Sequence, residues 1–489
     1  MRGFVKKFCS LFPAETNHIY FNRGDSVNSS TLDSLPQGKK HPKGLYLLFF
    51  TELWERYSYY GMRALLVLYL TTAFVSGGLG VDPAKALSIY GIYTGSVYFT
   101  PILGGWLTDR YIGLRKAITI GGITMACGDF TIFLTHSQIG LYGGLALLVL
   151  GNGFFKPNIS TLVGELYPRN DKRKDAAFTI FYMGINLGAL FAPLIAGFLA
   201  EDLFLTTMAD GTMHYGFKWA FLASSIGMIT GQIIFSALNN KYLGTVGLKP
   251  NKQLAEEAND DRNIPLSKKE KQRTTAILIL ASFVVFFWAG FEQAGSSFTL
   301  YTKNFIDREV FGYTIPVAWF QSVNPLFIVI LAPILSGVWL RLSRSKRGDL
   351  NMTTKMGIGM ILLGLGFMVL IPAVLQTGSD EQNITEKANL LFIIFTYLLH
   401  TLGELFLSPV GLSLVSKVAP VKIASLLMGV WMAAIGVASL LAGQLASLTA
   451  TLGYLEIFVV IGAAAIILGL VLLSISKKLV VMMKEEGPV

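Results

Sequence analysis

The chain has 489 residues, 53% of them hydrophobic and 14% charged, with a mean hydropathy of +0.55. This composition excludes an ordinary soluble domain and indicates a polytopic membrane protein, because apolar runs recur about every thirty to forty residues. The net charge of +10 would suit an acidic partner, but its placement makes nucleic-acid binding unnecessary. With the N-terminus taken as cytoplasmic, the opposite side holds Lys85, Lys218, Lys303, Arg308 and Lys387, apolar runs hold Arg56, Arg63 and Lys156, and the rest of the 40 Lys and Arg face the cytoplasm. That positive-inside bias puts both termini in the cytoplasm.

In chain order, residues 1–43 read as a polar, basic cytoplasmic tail, since the apolar part of MRGFVKKFCSLF is too short for a secretory signal. Spans follow at roughly 44–73, 85–108, 117–136, 138–163, 176–200, 217–238, 274–300, 316–340, 353–375, 388–416, 421–448 and 453–476. Residues 239–273 contain NKQLAEEANDDRNIPLSKKEKQR and are too polar to cross, so they form a cytoplasmic linker, and 477–489 form a C-terminal tail. The expected fold is therefore an all-α integral membrane protein, with 12 transmembrane helices in two six-helix bundles, 44–238 and 274–476. An echo between TPILGGWL at Thr100–Leu107 and APILSGVWL at Ala332–Leu340 suggests duplication, and a site near the midplane between two halves suits an alternating-access carrier. Cys9 and Cys127, one in the tail and one in a span, supply neither a disulfide framework nor a metal site.

The apolar spans hold four acids and three bases: Glu52, Glu55, Arg56 and Arg63 in the first, Lys156 in the fourth, Glu292 in the seventh and Glu404 in the tenth. Seven unpaired charges at helix centres would cost on the order of 20 kcal/mol, so they must face one another or a watery cavity. In TELWERYSYYGMR, Glu52, Arg56, Tyr59, Tyr60 and Arg63 recur at three- or four-residue spacing and line one helix face. Depth counted from the cytoplasmic ends puts Glu52, Glu55, Arg56, Lys156 and Glu404 at one level, with Tyr98, Asn186, Asn324 and Trp431 near the same band. Arg63 and Glu292 stand higher and match each other, which predicts an ion pair bridging the halves.

At these residues the chain resembles the proton-dependent oligopeptide transporters, the peptide-carrier branch of the major facilitator superfamily, over about 44–476. The resemblance rests on Glu52-x-x-Glu55-Arg56 with Tyr59-Tyr60-Gly61-Met62-Arg63, on GNGFFKPN at Gly151–Asn158, and on FYMGINLG at Phe181–Gly188. It continues through Phe291-Glu292-Gln293, FQSVNP at Phe320–Pro325, and Gly403-Glu404-Leu405 with Ser408-Pro409. GGWLTDR at Gly104–Arg110, with Arg115 and Lys116, is similar to the superfamily's loop motif between the second and third helices. Two departures stand out: the linker is too polar for the two extra helices of many bacterial members, and His400 and Asp129 have no place in the pattern.

Peptides share only a backbone, an ammonium and a carboxylate, so a permissive site must grip the two ends. Arg56 and Lys156, with Arg63, suit the carboxylate, and Glu404 suits the ammonium. Asn186 and Asn324 can bond the amide and amino end, and Tyr60, Tyr98 and Trp431 offer aromatic walls. The resemblance implies the same roles and adds Ser408. Four acids against three bases leave one negative charge that one proton would neutralise, so Glu292 with Arg63, and Glu52 and Glu55 with Arg56, are the expected proton-coupling groups. The expectation is thus a proton-coupled importer of di- and tripeptides, monomeric in the lipid bilayer of the cell membrane, with no cofactor beyond a co-transported H+. The alternative within the same family is a proton-coupled carrier of nitrate or another small anion or metabolite. The chain shows no metal-ligand cluster and no nucleophile beside a base, which argues against an enzyme.

Overall fold

A computed structural model describes residues 41–168, 171, 173–250, 265–345, 348–378, 384, 386–420 and 423–483. Residues 1–40 of the expected tail and residues 251–264 of the linker lie outside the described residues. Runs of Leu, Ile, Ala and Gly form helices wherever they are long, because a helix satisfies its own backbone polar groups where no water can. In the first half these are Lys43–Thr71 (α1), Pro83–Leu107 (α2), Leu114–Leu134 (α3), Gln138–Glu165 (α4), Lys174–Phe198 (α5) and Phe217–Leu243 (α6). In the second they are Lys268–Phe291 (α7), Val323–Ser343 (α8), Met352–Thr377 (α9), Leu391–Val418 (α10), Ala424–Ser447 (α11) and Tyr454–Met483 (α12). Among the described residues, nine helical segments are long and apolar enough to cross a membrane. Strands are two residues long and sit in loops. Thr206 pairs antiparallel with His214, Glu309 antiparallel with Thr314, and Ile306 parallel with Ala388.

Polar residues at helix starts explain several boundaries. Asp82 accepts from the Lys85 amide at 3.2 Å ahead of Pro83, and Asn351 accepts from the Thr354 amide at 2.8 Å. Ser267 and Glu270 form a capping box that starts α7 at Lys268. Helix therefore reaches into both ends of the linker expected at 239–273, with α6 running on to Leu243 and α7 starting at Lys268. Likewise α12 runs to Met483 rather than stopping at 476, because LVVMM follows the Lys477–Lys478 pair and Leu479 is buried. Arg115 bonds the carbonyls of Val246 at 2.6 Å and Gly244 at 2.7 Å, tying the start of the linker to α3.

The seventh span is not the single helix expected over 274–300. A 3-10 turn, Glu292–Gly295, interrupts it, and helix resumes at Ser297–Phe305. Tyr90 of α2 lies so close that a Cβ on Gly295 would stand 1.8 Å from its hydroxyl oxygen.

One buried cluster draws mainly on α1–α6 and another on α7–α12, while Leu300, Val317, Ala318 and Ala446 of the second half join the first. The halves touch where Trp319 donates to the Leu194 carbonyl at 2.9 Å, Ser322 to the Leu190 carbonyl at 2.8 Å, and Arg308 pairs with Glu201 at 3.5 Å. Helices α2 and α11 also cross here on glycine. A Cβ on Gly91 would lie 2.5 Å from the Gly443 Cα, so only bare backbone fits. Gly91→Val should cost about 1–3 kcal/mol through overpacking, read as lower thermal stability of the detergent-purified protein. Unchanged stability would mean that the two helices do not meet at this point.

Candidate functional site

Helix α1 brings three of the charged residues together by periodicity alone. Arg56 lies one turn after Glu52, and its Nε stands 3.0 Å from Glu52 Oε1. The same guanidinium grips Glu55 with both arms, Nη2 donating to Oε1 at 2.7 Å and Nε to Oε2. Asn152 of α4 donates to Glu55 Oε1 at 3.3 Å, and the Arg56 guanidinium lies 5.4 Å from the Tyr59 ring centroid. Glu52, Glu55 and Arg56 are all buried, and Glu52 Oε2 has no hydrogen-bond partner. Lys156, one turn beyond Asn152, sits with its ammonium 4.2 Å from the Tyr98 ring centroid and forms no ion pair among the described residues.

Two turns from Arg56 along α1, Arg63 reaches across to the second half and donates to Glu292. Its Nε donates to the Tyr90 hydroxyl at 2.6 Å, and Tyr60 and Tyr90 present their rings to the guanidinium at 5.9 and 5.7 Å. The 3-10 turn starting at Glu292 is what turns that carboxylate toward α1. On α10, Glu404 accepts from Asn324 Nδ2 of α8 at 2.8 Å, and the same amide donates to Thr401 at 3.0 Å. No cation pairs with Glu404 among the described residues.

Some of these groups line a cavity of about 250 Å³ between the halves, just below the usual size of sites that hold small molecules. Tyr60, Arg63, Tyr98 and Asn186 line it from the first half, and Glu292, Asn324 and Glu404 from the second, with Trp288, Phe291 and Tyr397 as further aromatic wall. Asn186 also donates to the Tyr182 carbonyl at 3.0 Å. The structure does not place every expected residue on this wall. Arg56, Glu52, Glu55 and Lys156 stand behind it, Lys156 under the wall residue Tyr98. Trp431, expected as an aromatic wall, is buried in the core of the second half, where α11 packs on α7 and a large ring fills the interface. The side chain of Ser408 lies outside the described residues.

Besides the wall residues Trp288, Phe291 and Tyr397, three polar participants were not singled out from the sequence: Asn152, Tyr90 and Thr401. Each carried a signal, since Asn152 precedes Lys156 by one turn, Tyr90 precedes Tyr98 by about two, and Thr401 is three residues before Glu404. A cavity with a guanidinium on one half and a cation-free carboxylate on the other suits a short zwitterion. Among the described residues no three His, Cys, Asp or Glu gather as a metal site.

A family model described as POT family (PTR2) matches residues 115–251 and 264–455. The chain is 35% identical over 497 residues to an uncharacterized transporter, YclF, of Bacillus subtilis (strain 168), a match covering 92% of this chain and 97% of that protein. It is 32% identical to a di-/tripeptide transporter of Lactococcus lactis subsp. cremoris, over 91% of this chain and 97% of the relative. Among solved structures, a peptide transporter POT in complex with sulfate superposes with a TM-score of 0.84 at 33% identity, covering 94% of this chain and 100% of that one.

The bridge between the halves can be tested on its own. Removing one partner of a buried ion pair leaves an uncompensated charge, so Glu292→Leu should destabilise the protein by about 3–5 kcal/mol. Adding Arg63→Met to that variant should recover much of the loss, measured as thermal or denaturant stability in detergent. A single variant as stable as the wild type would show that Arg63 does not depend on Glu292.

Proposed function

This chain belongs to the POT family, and from that membership we propose that it imports di- and tripeptides together with protons by alternating access. The observation that carries the reading is the Arg63–Glu292 pair, which joins the halves beside a cavity holding Glu404, Asn324, Tyr60 and Tyr98. The family and the matched relatives are transporters rather than enzymes, and the chain is a multi-pass membrane protein. Nitrate or another small anion is the weaker reading, because an anion carrier has no use for a cation-free carboxylate such as Glu404 in its cavity.

The finer assignments follow from charge and depth. We take all of α1–α12 to cross the bilayer, with the halves at 44–238 and 274–476, both termini cytoplasmic, and the chain working as a monomer in the cell membrane. The charged stretches in α1 and the polar residues in α2 then belong to the transport path and explain why these helices read as less apolar than the rest. On this topology the end closed by Arg63–Glu292 and Arg308–Glu201 is the outer one.

In transport, the peptide ammonium would take Glu404 and Asn324, and its carboxylate would compete with Glu52 and Glu55 for Arg56 and Lys156. A displaced glutamate in an apolar surrounding takes up a proton, which couples binding to protonation. Glu292 plays the corresponding part at the outer gate: while paired it can stay ionised, and once parted from Arg63 it needs a proton. Protonation from outside therefore favours the open outer gate. Asn186, Tyr98 and, by resemblance, Ser408 would complete the peptide contacts.

Concentrative uptake of labelled dialanine into proteoliposomes under an inward proton gradient tests the reading as a whole. A folded, reconstituted protein that fails to accumulate peptide would overturn it. Glu404→Gln should weaken peptides with a free amino end at least about tenfold, the worth of a charge-assisted hydrogen bond, and leave N-blocked peptides nearly unaffected. Equal losses for both classes would remove Glu404 from the ammonium site.

A further inference from the structure

Among the described residues five acids are buried, Glu52, Glu55, Asp129, Glu292 and Glu404, and the transport reading gives no part to Asp129. Asp129 stands in the last third of α3 with none of its surface exposed. Its Oδ2 is hydrogen-bonded to Ser58 Oγ of α1, while Oδ1 has no hydrogen-bond partner among the described residues. Of the bases of this half, Arg56 is engaged with Glu52 and Glu55, Arg63 with Glu292, Lys156 over Tyr98, and Arg115, on the same helix as Asp129, with the carbonyls of Val246 and Gly244. The titratable groups within electrostatic reach are Glu55 on α1, which carries a like charge, and the phenol of Tyr93 on α2. From α4 the neighbouring turn of α3 meets Gly144 and Leu148, and from α6 it meets Ser225, whose hydroxyl donates to the Ala126 carbonyl at 3.3 Å. Asp129 does not line the cavity.

A carboxylate here would have one charged oxygen without a donor, no cation beside it and a like charge on α1. A buried charge so placed neutralises instead. A carboxylic acid removes each difficulty, since Oδ2–H can donate to Ser58 Oγ and Oδ1 becomes the carbonyl oxygen of a neutral group. We propose that Asp129 keeps its proton through the whole transport cycle and, as a neutral acid, fastens α1 to α3 through Ser58. Ser58 follows Glu55 by three residues and Arg56 by two, so this tie sets the rotation of the helix that carries the cluster. Asp129 is thus a positioning residue, and its proton is distinct from those that travel with the peptide.

The test uses the full chain in proteoliposomes as wild type, Asp129→Asn, Asp129→Ala and Ser58→Ala, each first shown to be monodisperse. Its transport readouts rest on the peptide-importer reading; its infrared readout does not. Asp129→Asn reproduces the neutral acid, its amide donating to Ser58, and keeps the wild-type rate and pH profile of dialanine uptake. Asp129→Ala and Ser58→Ala lose the tie, lower uptake about tenfold and move the pH profile, as expected for one buried hydrogen bond that orients the cluster. In infrared spectra, the wild type shows a protonated-carboxyl band that persists from acid to alkaline pH and is missing from Asp129→Asn. Loss of gradient-driven accumulation in Asp129→Asn with peptide exchange intact would overturn the proposal, because the proton would then move with the cycle. So would disappearance of the band as pH rises. Should Asp129→Ala fail to fold, Asp129→Asn and the infrared band still decide.

Discussion

An ionised side chain away from water keeps its charge only when a partner or a hydrogen-bond network compensates it, and this requirement organises the molecule. Arg56 serves two carboxylates, Arg63 serves one across the interface, and Glu404 relies on the Asn324 amide. No acid is paired by chance, for the ones without a cation are those whose partner must come from elsewhere. On the proposed reading that partner is a substrate ammonium for Glu404 and a proton for Asp129. Lys156, held over an aromatic ring and in no ion pair among the described residues, would then be the complementary site for a negative group.

The same requirement makes the carrier a two-state device. The contacts that hold the halves together include glycine backbones at Gly91 and Gly443, two donors into the carbonyls of α5, the Val317 amide on Glu201, and the ion pairs Arg308–Glu201 and Arg63–Glu292. Each half has a largely separate apolar core, although Leu300, Val317, Ala318 and Ala446 of the second half join the first. Opening the gate therefore parts polar contacts along with a few apolar ones, and protonating one carboxylate can tip the balance. Local breaks serve this arrangement, as in the 3-10 turn at Glu292–Gly295, where the close approach of Tyr90 leaves room for a glycine alone.

What the amino-acid sequence determined by itself was composition, depth and helical phase. Apolar run lengths located most helix ends to within a few residues, though not those of α7, the start of α8 or the end of α12, and spacing in TELWERYSYYGMR put Glu52, Arg56, Tyr60 and Arg63 on one face. Counting along the spans set Arg63 level with Glu292, and those two side chains meet. Such properties are one-dimensional, so a chain read end to end contains them. Rotation of one helix against another is not, and the tertiary structure decided everything that depends on it. Trp431 shares the midplane band with Tyr98, yet packing of α11 on α7 turns it into the core. Lys156 shares the level of Glu55, yet Asn152 takes the contact and Lys156 lies under Tyr98. Ser58 and Asp129, 71 residues apart, become partners only because α3 packs against the back of α1. The start of α7 after Ser267 escaped for a related reason, since a cap rather than hydropathy sets it.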